Sequence, residues 1–367
     1  MSRGKERKLY QEYPQPGEEE LARRLGEYLK YVVARKNFSS GTMRRDQHPK
    51  TVALLKAQLE IDPDLPAQLR HGIFAQKPSY PCWIRLSNAA PIPAADHKKD
   101  IRGCALKIMD VDGDKVLWQE RHATTQDFLF LNGQAFLTSD TAEFFAFVKA
   151  LNTSIPALLW FFLTHPKAFL TGFKAAQRYA NLLEIPWFGE TPFRLGPELA
   201  VKYAMFPRAP GKSTIPPAYE RGRNYLREAA ARTLAESEVL YDLSLQVQVD
   251  PYREPIEDAQ AVWSDELSPW QKVATLRIPR QEVYAPDLNW LAENLAMNIW
   301  HTLPEHLPLG NVNRARRIVY LIISEFRRRQ NLLPPLEEPV AGPDFFAGTS
   351  LGDERPAAVA AAGGGWR

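Results

Sequence analysis

The chain has 367 residues, of which 45% are hydrophobic and 11% aromatic, as is typical of a globular protein with a sizeable core. Its 46 basic and 43 acidic residues give a formal net charge of +3 at pH 7. This near balance argues against general nucleic-acid affinity, which needs a concentrated excess of lysine and arginine. The two cysteines, Cys82 and Cys104, both lie in apolar segments and argue against a disulfide framework or a cysteine-based zinc site.

The first part of the chain predicts one helix followed by strands. Residues 1–20 are polar and lack the apolar core of a signal peptide, so we expect a cytoplasmic protein. Residues 17–37 predict an amphipathic helix with acidic residues in its first turn. Apolar and polar side chains alternate in residues 51–61, which is the period of a half-buried strand. Further short strands are predicted within residues 80–88, 101–111 and 124–132, and the Asp–Gly pair at 112–113 indicates a hairpin.

A helical block is predicted for residues 139–185, and it contains the most apolar run of the chain, residues 155–173. Pro156, His165, Pro166 and Lys167 interrupt this run, which argues against a transmembrane helix. We expect a buried or cleft-lining helical hairpin here. The alternative is a membrane-surface patch or an apolar entrance for substrate.

The second half returns to strands and ends in helices. Residues 239–250 alternate polar and apolar side chains, and residues 272–280 are predicted to form a neighbouring strand. Helices are expected at about 287–301 and 312–331, and the Pro-, Gly- and Ala-rich residues from about 336 predict a loose tail. The strands lack regular βαβ alternation, so the pattern favours an α+β protein with an antiparallel sheet or barrel.

Several polar residues stand beside apolar strands or on one helical face. Arg45 lies three residues before His48, while Arg85 and Ser87 are two apart and so share one side of a strand. In the arginine-rich helix, Arg316, Tyr320 and Arg327 share one face at about 100° per residue. Each feature also has a plainer interpretation: His48 as a solvated or packing histidine, and the arginines as a patch for nucleic acid or an anionic membrane.

Taken in order, these motifs resemble those of haem catalases, in particular the short catalase-related branch that includes catalase-related peroxidases and allene oxide synthase-like haem proteins. The resemblance covers roughly residues 38–331. It rests on five motifs in order. These are R-x-x-H (Arg45 and His48), I-R-x-S (Ile84 to Ser87), D-x-R-G-x-A-x-K (Asp100 to Lys107), a spaced phenylalanine pair (Phe128 and Phe136) and R-x-x-x-Y-x-x-x-x-x-x-R (Arg316, Tyr320 and Arg327).

The resemblance implies an α+β fold, in which a catalase-like core has a closed antiparallel β-barrel with flanking and inserted helices. We therefore expect three parts: an N-terminal arm and helix over residues 1–37, a haem-binding core over 38–335, and a flexible tail over 336–367.

The resemblance also implies a haem b site with Fe(III). Tyr320 would bind the iron as a phenolate, and Arg316, one turn earlier, would stabilise that anion. Arg327, Arg45 and Arg85 would pair with the haem propionates.

On the other haem face, the resemblance makes His48 the general acid–base, with Ser87 holding its second ring nitrogen. Phe136 would stack near the porphyrin and Phe128 would line the distal pocket. Both phenylalanines have ordinary core positions as their alternative.

The sequence departs from full-length catalases in ways that bear on the reaction. It is much shorter, and nothing resembles their nucleotide-binding surface, so we predict no NADPH. The expected distal asparagine is missing, because the aligned positions hold Ala123 and Thr124. Thr124 or His122 could serve as the distal donor instead. Loss of an oriented donor weakens peroxide positioning, so rapid disproportionation of hydrogen peroxide is less favoured.

The sequence therefore predicts a haem-dependent enzyme of the catalase or peroxidase type, acting on hydrogen peroxide or on an organic or lipid hydroperoxide. The alternative is rearrangement or dehydration of a fatty-acid hydroperoxide, and a non-catalytic haem- or lipid-binding module is a third hypothesis. We expect no nucleic-acid partner and no transmembrane segment, and the chain could form a homo-oligomer.

Overall fold

The computed structural model of the chain describes residues 6–334 and 338–353. Within these residues, nine strands form one antiparallel sheet in the order β5-β4-β3-β2-β1-β9-β8-β7-β6. The strands are β1 Lys50–Ile61, β2 Ser79–Asn88, β3 Arg102–Ile108, β4 Gln126–Leu131, β5 Trp187–Phe188, β6 Phe193–Leu195, β7 Leu199–Pro207, β8 Val239–Val247 and β9 Gln271–Ile278. Because β5 also pairs with β7, eight of the strands close into a barrel. This confirms the predicted α+β fold with a closed antiparallel barrel.

The barrel is filled by the inward side chains of alternating strands. In β1, Leu55, Ala57 and Leu59 are fully buried, whereas Lys56 and Gln58 between them are only half-buried. This is the two-residue period that the sequence shows, and it places one face of the strand in a large apolar core.

Nine α-helices flank the barrel in the described ranges. They are α1 Glu18–Asn37, α2 Ile73–Gln76, α3 Thr141–Thr153, α4 Ile155–Thr164, α5 Pro166–Ala175, α6 Tyr225–Glu236, α7 Pro286–Asn294, α8 Asn311–Gln330 and α9 Ser350–Asp353. Helix α1 packs closely on α8, because a Cβ at Gly26 would lie 2.7 Å from Ile322 Cδ1. Helix α7 covers the outer face of β1 and β2, where Ala292 and Leu295 pack on Leu54 and Trp83.

Three local expectations need correction. Strands β3 and β4 are antiparallel neighbours, but residues 109–125, with a short 3-10 helix at Trp118–Glu120, connect them instead of a tight Asp–Gly turn. The helix expected over 287–301 ends at Asn294. Residues 338–353, assigned to the loose tail, are packed: Phe346 is buried, and Glu338 forms an ion pair with Lys107. The rest of that predicted tail, apart from these residues, lies outside the described part of the chain.

The apolar run at residues 155–173 does form a helical hairpin, α4 and α5, but its outer side is not buried. Trp160 is 66% exposed and Leu163 is 73% exposed, whereas Phe161 and Ala168 are buried on the inner side. The expectation of a buried or cleft-lining hairpin is therefore wrong for the outer side. Among the described residues, no helix combines the length and the apolar character needed to span a bilayer.

Candidate functional site

A cavity of about 550 Å3 lies between strands β2–β4 and helices α1, α3 and α8. The strands contribute Arg85, Ser87, Gly103, Ala105 and Leu129; the helices contribute Leu25, Leu29, Phe144, Phe147, Val319, Tyr320 and Arg327. Most of these side chains are apolar, and the polar ones are concentrated at a few points. A cavity of this size and character is typical of a cofactor or small-molecule site.

The barrel side of the cavity presents His48, which lies in the segment before β1 with a backbone φ of 56°. Its Nδ1 lies 3.0 Å from Ser87 Oγ, and the Ser87 hydroxyl donates to the Gly103 carbonyl at 3.4 Å. The serine oxygen therefore accepts from Nδ1–H, which leaves the Nε2 lone pair free. A Cβ on Gly103 would lie 2.5 Å from His48 Nδ1, so only glycine allows this close packing.

The charge of His48 is disfavoured in this position. Removal from bulk water, together with the nearby Arg85 and Arg45, lowers the pKa of His48 to about 3. The imidazole is half-buried and lines the cavity. At neutral pH it is therefore an uncharged base with a fixed tautomer.

One edge of the cavity carries three arginines. Arg45 and Arg85 both donate to the Ala292 carbonyl, and Arg327 donates to Glu293 at 2.7 Å. Burial, combined with mutual repulsion, lowers the pKa of Arg45 to about 9 and the pKa of both Arg85 and Arg327 to about 10. In the described part of the chain, Glu293 is the one carboxylate in ion-pair contact with this cluster. Two positive charges therefore lack a counterion, and a ligand with two carboxylates would supply them.

The helical side of the cavity presents Tyr320 and Arg316 from α8. Arg316 lies over the ring of Phe136, with its guanidinium carbon 5.1 Å from the ring centroid, and donates to Thr191 Oγ1 and Asn313 Oδ1. Among the described residues, no hydrogen bond is formed by the Tyr320 hydroxyl, although the ring packs in the apolar cluster between α1, α3 and α8. A phenol without a partner at a cavity wall is available as a ligand.

A buried ionic network borders the same cavity through Glu120 and His301. His301 Nδ1 lies 3.1 Å from Asp127 Oδ2, its Nε2 contacts Glu120, and Lys107 Nζ lies 2.8 Å from Asp127 Oδ1. Burial and Lys107 oppose the positive charge of His301, but the bonds to Asp127 and Glu120 outweigh them and raise the pKa of His301 to about 9. His301 is therefore protonated at neutral pH and can act as a hydrogen-bond donor.

The network also contains a group that resembles a metal site. One ligand atom from each of Glu120, His301 and Glu338 lies within 4.8 Å of the others. However, Lys107 contacts Glu338 and Asp127, and its ammonium already occupies the position of a cation. We interpret the group as an ion-pair network.

Most predicted site residues meet at the cavity, but three do not. His48, Ser87, Arg45, Arg85, Phe136, Arg316, Tyr320 and Arg327 all line it. Phe128 does not: it is buried inside the barrel, 4.8 Å from the ring of Tyr203, because the alternation of β4 turns it inward and its neighbour Leu129 outward. His122 is 87% exposed beside Asp114, and Thr124 is also absent from the cavity wall, so neither is placed as a distal donor.

Three cavity residues were missed by sequence reasoning: His301 with Glu120, and Glu190. For His301 and Glu120, the sequence did carry a signal: each of two apolar strands contains one charged residue, Lys107 or Asp127. In the structure these two residues are register partners on β3 and β4, and they hold His301 in place. Glu190 had no such signal. Its burial raises the pKa of this carboxyl to about 8, despite the nearby Arg316 and Lys202.

Comparisons with known proteins give structural matches only. No family model matches the chain, and no curated protein sequence does. The structure is similar to a fungal catalase, with a TM-score of 0.63 and 17% identity over 81% of this chain and 62% of that one. It is also similar to a bacterial catalase, with a TM-score of 0.63 and 17% identity over 85% of this chain and 64% of that one. Catalase A from Saccharomyces cerevisiae matches with a TM-score of 0.64 and 16% identity over 87% and 69% of the two chains.

The chain thus spans between 62% and 69% of the length of these three catalases. Identities of 16% and 17% establish a shared fold and leave the activity to be argued from the site. The described residues form a closed antiparallel barrel with flanking helices, and this architecture is the catalase fold.

Proposed function

We propose that the protein is a haem-dependent enzyme that acts on peroxides. The observation that carries this proposal is one apolar cavity with Tyr320 on its helical side, His48 on its barrel side and an arginine cluster with two uncompensated charges at one edge. Haem b fits all three features, because it has an apolar macrocycle, two propionates and an iron that binds a phenolate. The catalase fold supports the same assignment.

Several residues around the cavity would bind different parts of haem. Tyr320 would bind the iron through its phenolate oxygen. Arg45, Arg85 and Arg327 would pair with the two propionates, while Glu293 balances the third positive charge of the cluster. Phe136, held under the guanidinium of Arg316, would contact the macrocycle. When bound, haem supplies the ferric iron at which peroxide binds and the electrons that break its O–O bond.

His48 would move the proton. Its Nε2 lone pair takes the proton from the hydroperoxide O–H and delivers it to the oxygen that departs when the O–O bond breaks. Ser87 keeps Nδ1 protonated, so that Nε2 remains the basic atom, and Gly103 gives the ring room to lie against β3. Protonated His301 also lines the cavity, but its two ring N–H groups donate to Asp127 and Glu120, so it does not replace the missing distal asparagine as a donor to peroxide.

A second candidate function is the rearrangement or dehydration of a fatty-acid hydroperoxide. The wall formed by Phe144, Phe147 and Leu151 favours it, because burying a hydrocarbon chain there lowers the free energy of binding. Hydrogen peroxide has no apolar surface to bury. The cavity lining therefore favours an organic hydroperoxide as substrate under either chemistry.

Replacement of Tyr320 by phenylalanine tests the haem assignment. The wild-type protein, expressed with haem supplied, should show a Soret band and a high-spin ferric tyrosinate spectrum, and Y320F should lose the tyrosinate signature. A matched control is Tyr284→Phe, since Tyr284 is 49% exposed and does not line the cavity. A wild-type protein that remains colourless after expression with haem would refute the proposal.

Turnover then separates the reactions. Oxygen release from hydrogen peroxide that is abolished in His48→Ala would select the catalase reaction. Rapid loss of a conjugated-diene hydroperoxide without added reductant would select rearrangement. Turnover that requires an organic reductant would select a peroxidase.

A further inference from the structure

Helices α4 and α5 present an apolar surface to solvent. It consists of Ile155, Leu159, Trp160, Leu163, Leu170 and Phe173, which are 75%, 64%, 66%, 73%, 53% and 62% exposed. We call these six residues the α4–α5 surface. Such a concentration of exposed large side chains within one short segment marks an interaction site, since single exposed residues are normal but contiguous ones are not.

The charged residues of the segment that carries the α4–α5 surface all have one sign. Residues 144–183 contain no aspartate or glutamate but include Lys149, Lys167, Lys174 and Arg178, although the whole chain is nearly balanced. Lys99 adds another cation, because its Nζ lies 5.9 Å from the ring centroid of Phe173. The apolar surface therefore has a basic rim.

The inner side of these helices leads to the cavity. Phe147 lines the cavity and contacts Phe161 of α4, with ring centroids 5.5 Å apart. From there, Phe162 contacts Phe169 at 5.6 Å, and Phe169 stacks on Phe173 at 6.0 Å. A continuous row of aromatic rings thus connects the cavity wall to the α4–α5 surface.

We propose that the α4–α5 surface docks on the interface of an anionic lipid bilayer. The two helices are too short and interrupted to cross a membrane, but they can lie in the interface with their apolar side among the acyl chains. Trp160 has the ring that is enriched at this depth, and the basic rim complements anionic headgroups. This docking does not depend on haem, although it would bring the cavity next to a source of apolar hydroperoxides.

A second copy of the chain is a poorer occupant of the same surface. A two-fold interface would place the patch against itself, so the lysines of one rim would meet those of the other with no acid in residues 144–183 to pair with them. A bilayer with anionic headgroups has no such conflict.

Flotation of the full-length protein with lipid vesicles tests the proposal. We expect binding to vesicles of equimolar phosphatidylcholine and phosphatidylglycerol, and much weaker binding to pure phosphatidylcholine. The variant L159Q/L163Q should lose roughly 100-fold or more in its partition coefficient, because two leucines no longer enter the acyl region. K167Q/K174Q should lose about 30-fold, with anionic vesicles only.

A matched control uses two exposed apolar residues elsewhere. Leu332 and Val340 are 91% and 71% exposed, so L332Q/V340Q removes similar apolar area without touching α4 or α5 and should bind like the wild type. Circular dichroism checks that each variant is folded, and light scattering after gel filtration reports the oligomeric state. The proposal is overturned if the wild type does not float with anionic vesicles, or if L159Q/L163Q binds as well as the control. A wild-type dimer that L159Q/L163Q converts to a monomer, without vesicle binding by either, would assign the surface to a second copy instead.

Discussion

Replacing Glu293 with glutamine should destabilise the haem-free protein far more than the haem-bound protein. Glu293 accepts from Arg327 at 2.7 Å, and its second oxygen lies 3.5 Å from Arg45. Both arginine side chains are largely buried, as is Arg85 beside them. E293Q keeps the shape of the side chain but removes its charge, so three guanidiniums would remain without an anion in ion-pair contact among the described residues.

The size of the effect follows from that loss. A charge-assisted hydrogen bond to a buried partner contributes about 1.5–3 kcal/mol, and breaking a buried ion pair costs about 3–5 kcal/mol. Because Glu293 is 27% exposed, we take the lower end and expect a loss of about 3 kcal/mol in the haem-free protein. With haem bound, its propionates would compensate the arginines, and the loss should fall to about 1 kcal/mol.

Urea unfolding followed by circular dichroism, with and without haem, measures both values. Glu325→Gln is the control, since its ion pair with Arg329 lies on the surface of the same region and both side chains are more than half exposed. That variant should lose less than about 0.5 kcal/mol in either state. An equal loss in haem-free and haem-bound E293Q would refute the reasoning, because the arginines would then not face the carboxylates of the cofactor.

Three further predictions concern single residues of the site. Gly103→Ala places a Cβ 2.5 Å from His48 Nδ1 and should lower peroxide turnover by about 100-fold or more while haem still binds. The control is Gly342→Ala, which has no atom within 4 Å of the added carbon and should match the wild type in the same assay. Because the pKa of His301 is raised from 6.5 to about 9, its contribution to stability is present below pH 6.5 and lost as pH rises through 9. Urea titrations across that range should show a decline on the order of 3 kcal/mol in the wild type that His301→Gln lacks; the same decline in both proteins would count against the assignment. Phe128→Leu should lower the free energy of unfolding by about 1 kcal/mol without altering the haem spectrum, whereas Phe136→Leu should alter the spectrum. A changed haem spectrum in Phe128→Leu would show that Phe128 contacts the haem after all.

The residues that could be predicted are those whose spacing is set by one secondary-structure element. Tyr320, Arg316 and Arg327 all line the cavity because a single helix, α8, turns them to the same side. Arg85 and Ser87 share a face of β2 for the equivalent reason in a strand. In both cases the period of a single element determines which side chains share a face, so the sequence alone is sufficient to predict that they lie together.

The residues that were missed or misplaced depend on contacts between distant segments. His301 reaches the cavity only because Asp127, from β4, holds it there. Phe128 was assigned to the pocket from a spacing motif, but spacing along a strand does not reveal which face turns toward the barrel interior. Helix α4 is apolar on every side, and since a helix of this composition is normally buried, nothing in its period indicates that Leu163 and Trp160 face solvent.

The charges of the cavity also restrict how an acidic substrate could bind. The arginine cluster has two uncompensated positive charges, and the haem propionates would use both. The network of His301 contains three carboxylates, those of Asp127, Glu120 and Glu338, so it repels a further anion. Burying a carboxylate away from water is costly, so we expect the carboxylate of a fatty-acid hydroperoxide to stay at the edge of the cavity beside an exposed cation, while its hydrocarbon chain occupies the apolar wall around Phe147. The basic rim of the α4–α5 surface offers such a position, because Lys174 directly precedes Ala175, which lines the cavity. Membrane docking and orientation of the substrate would then use the same lysines.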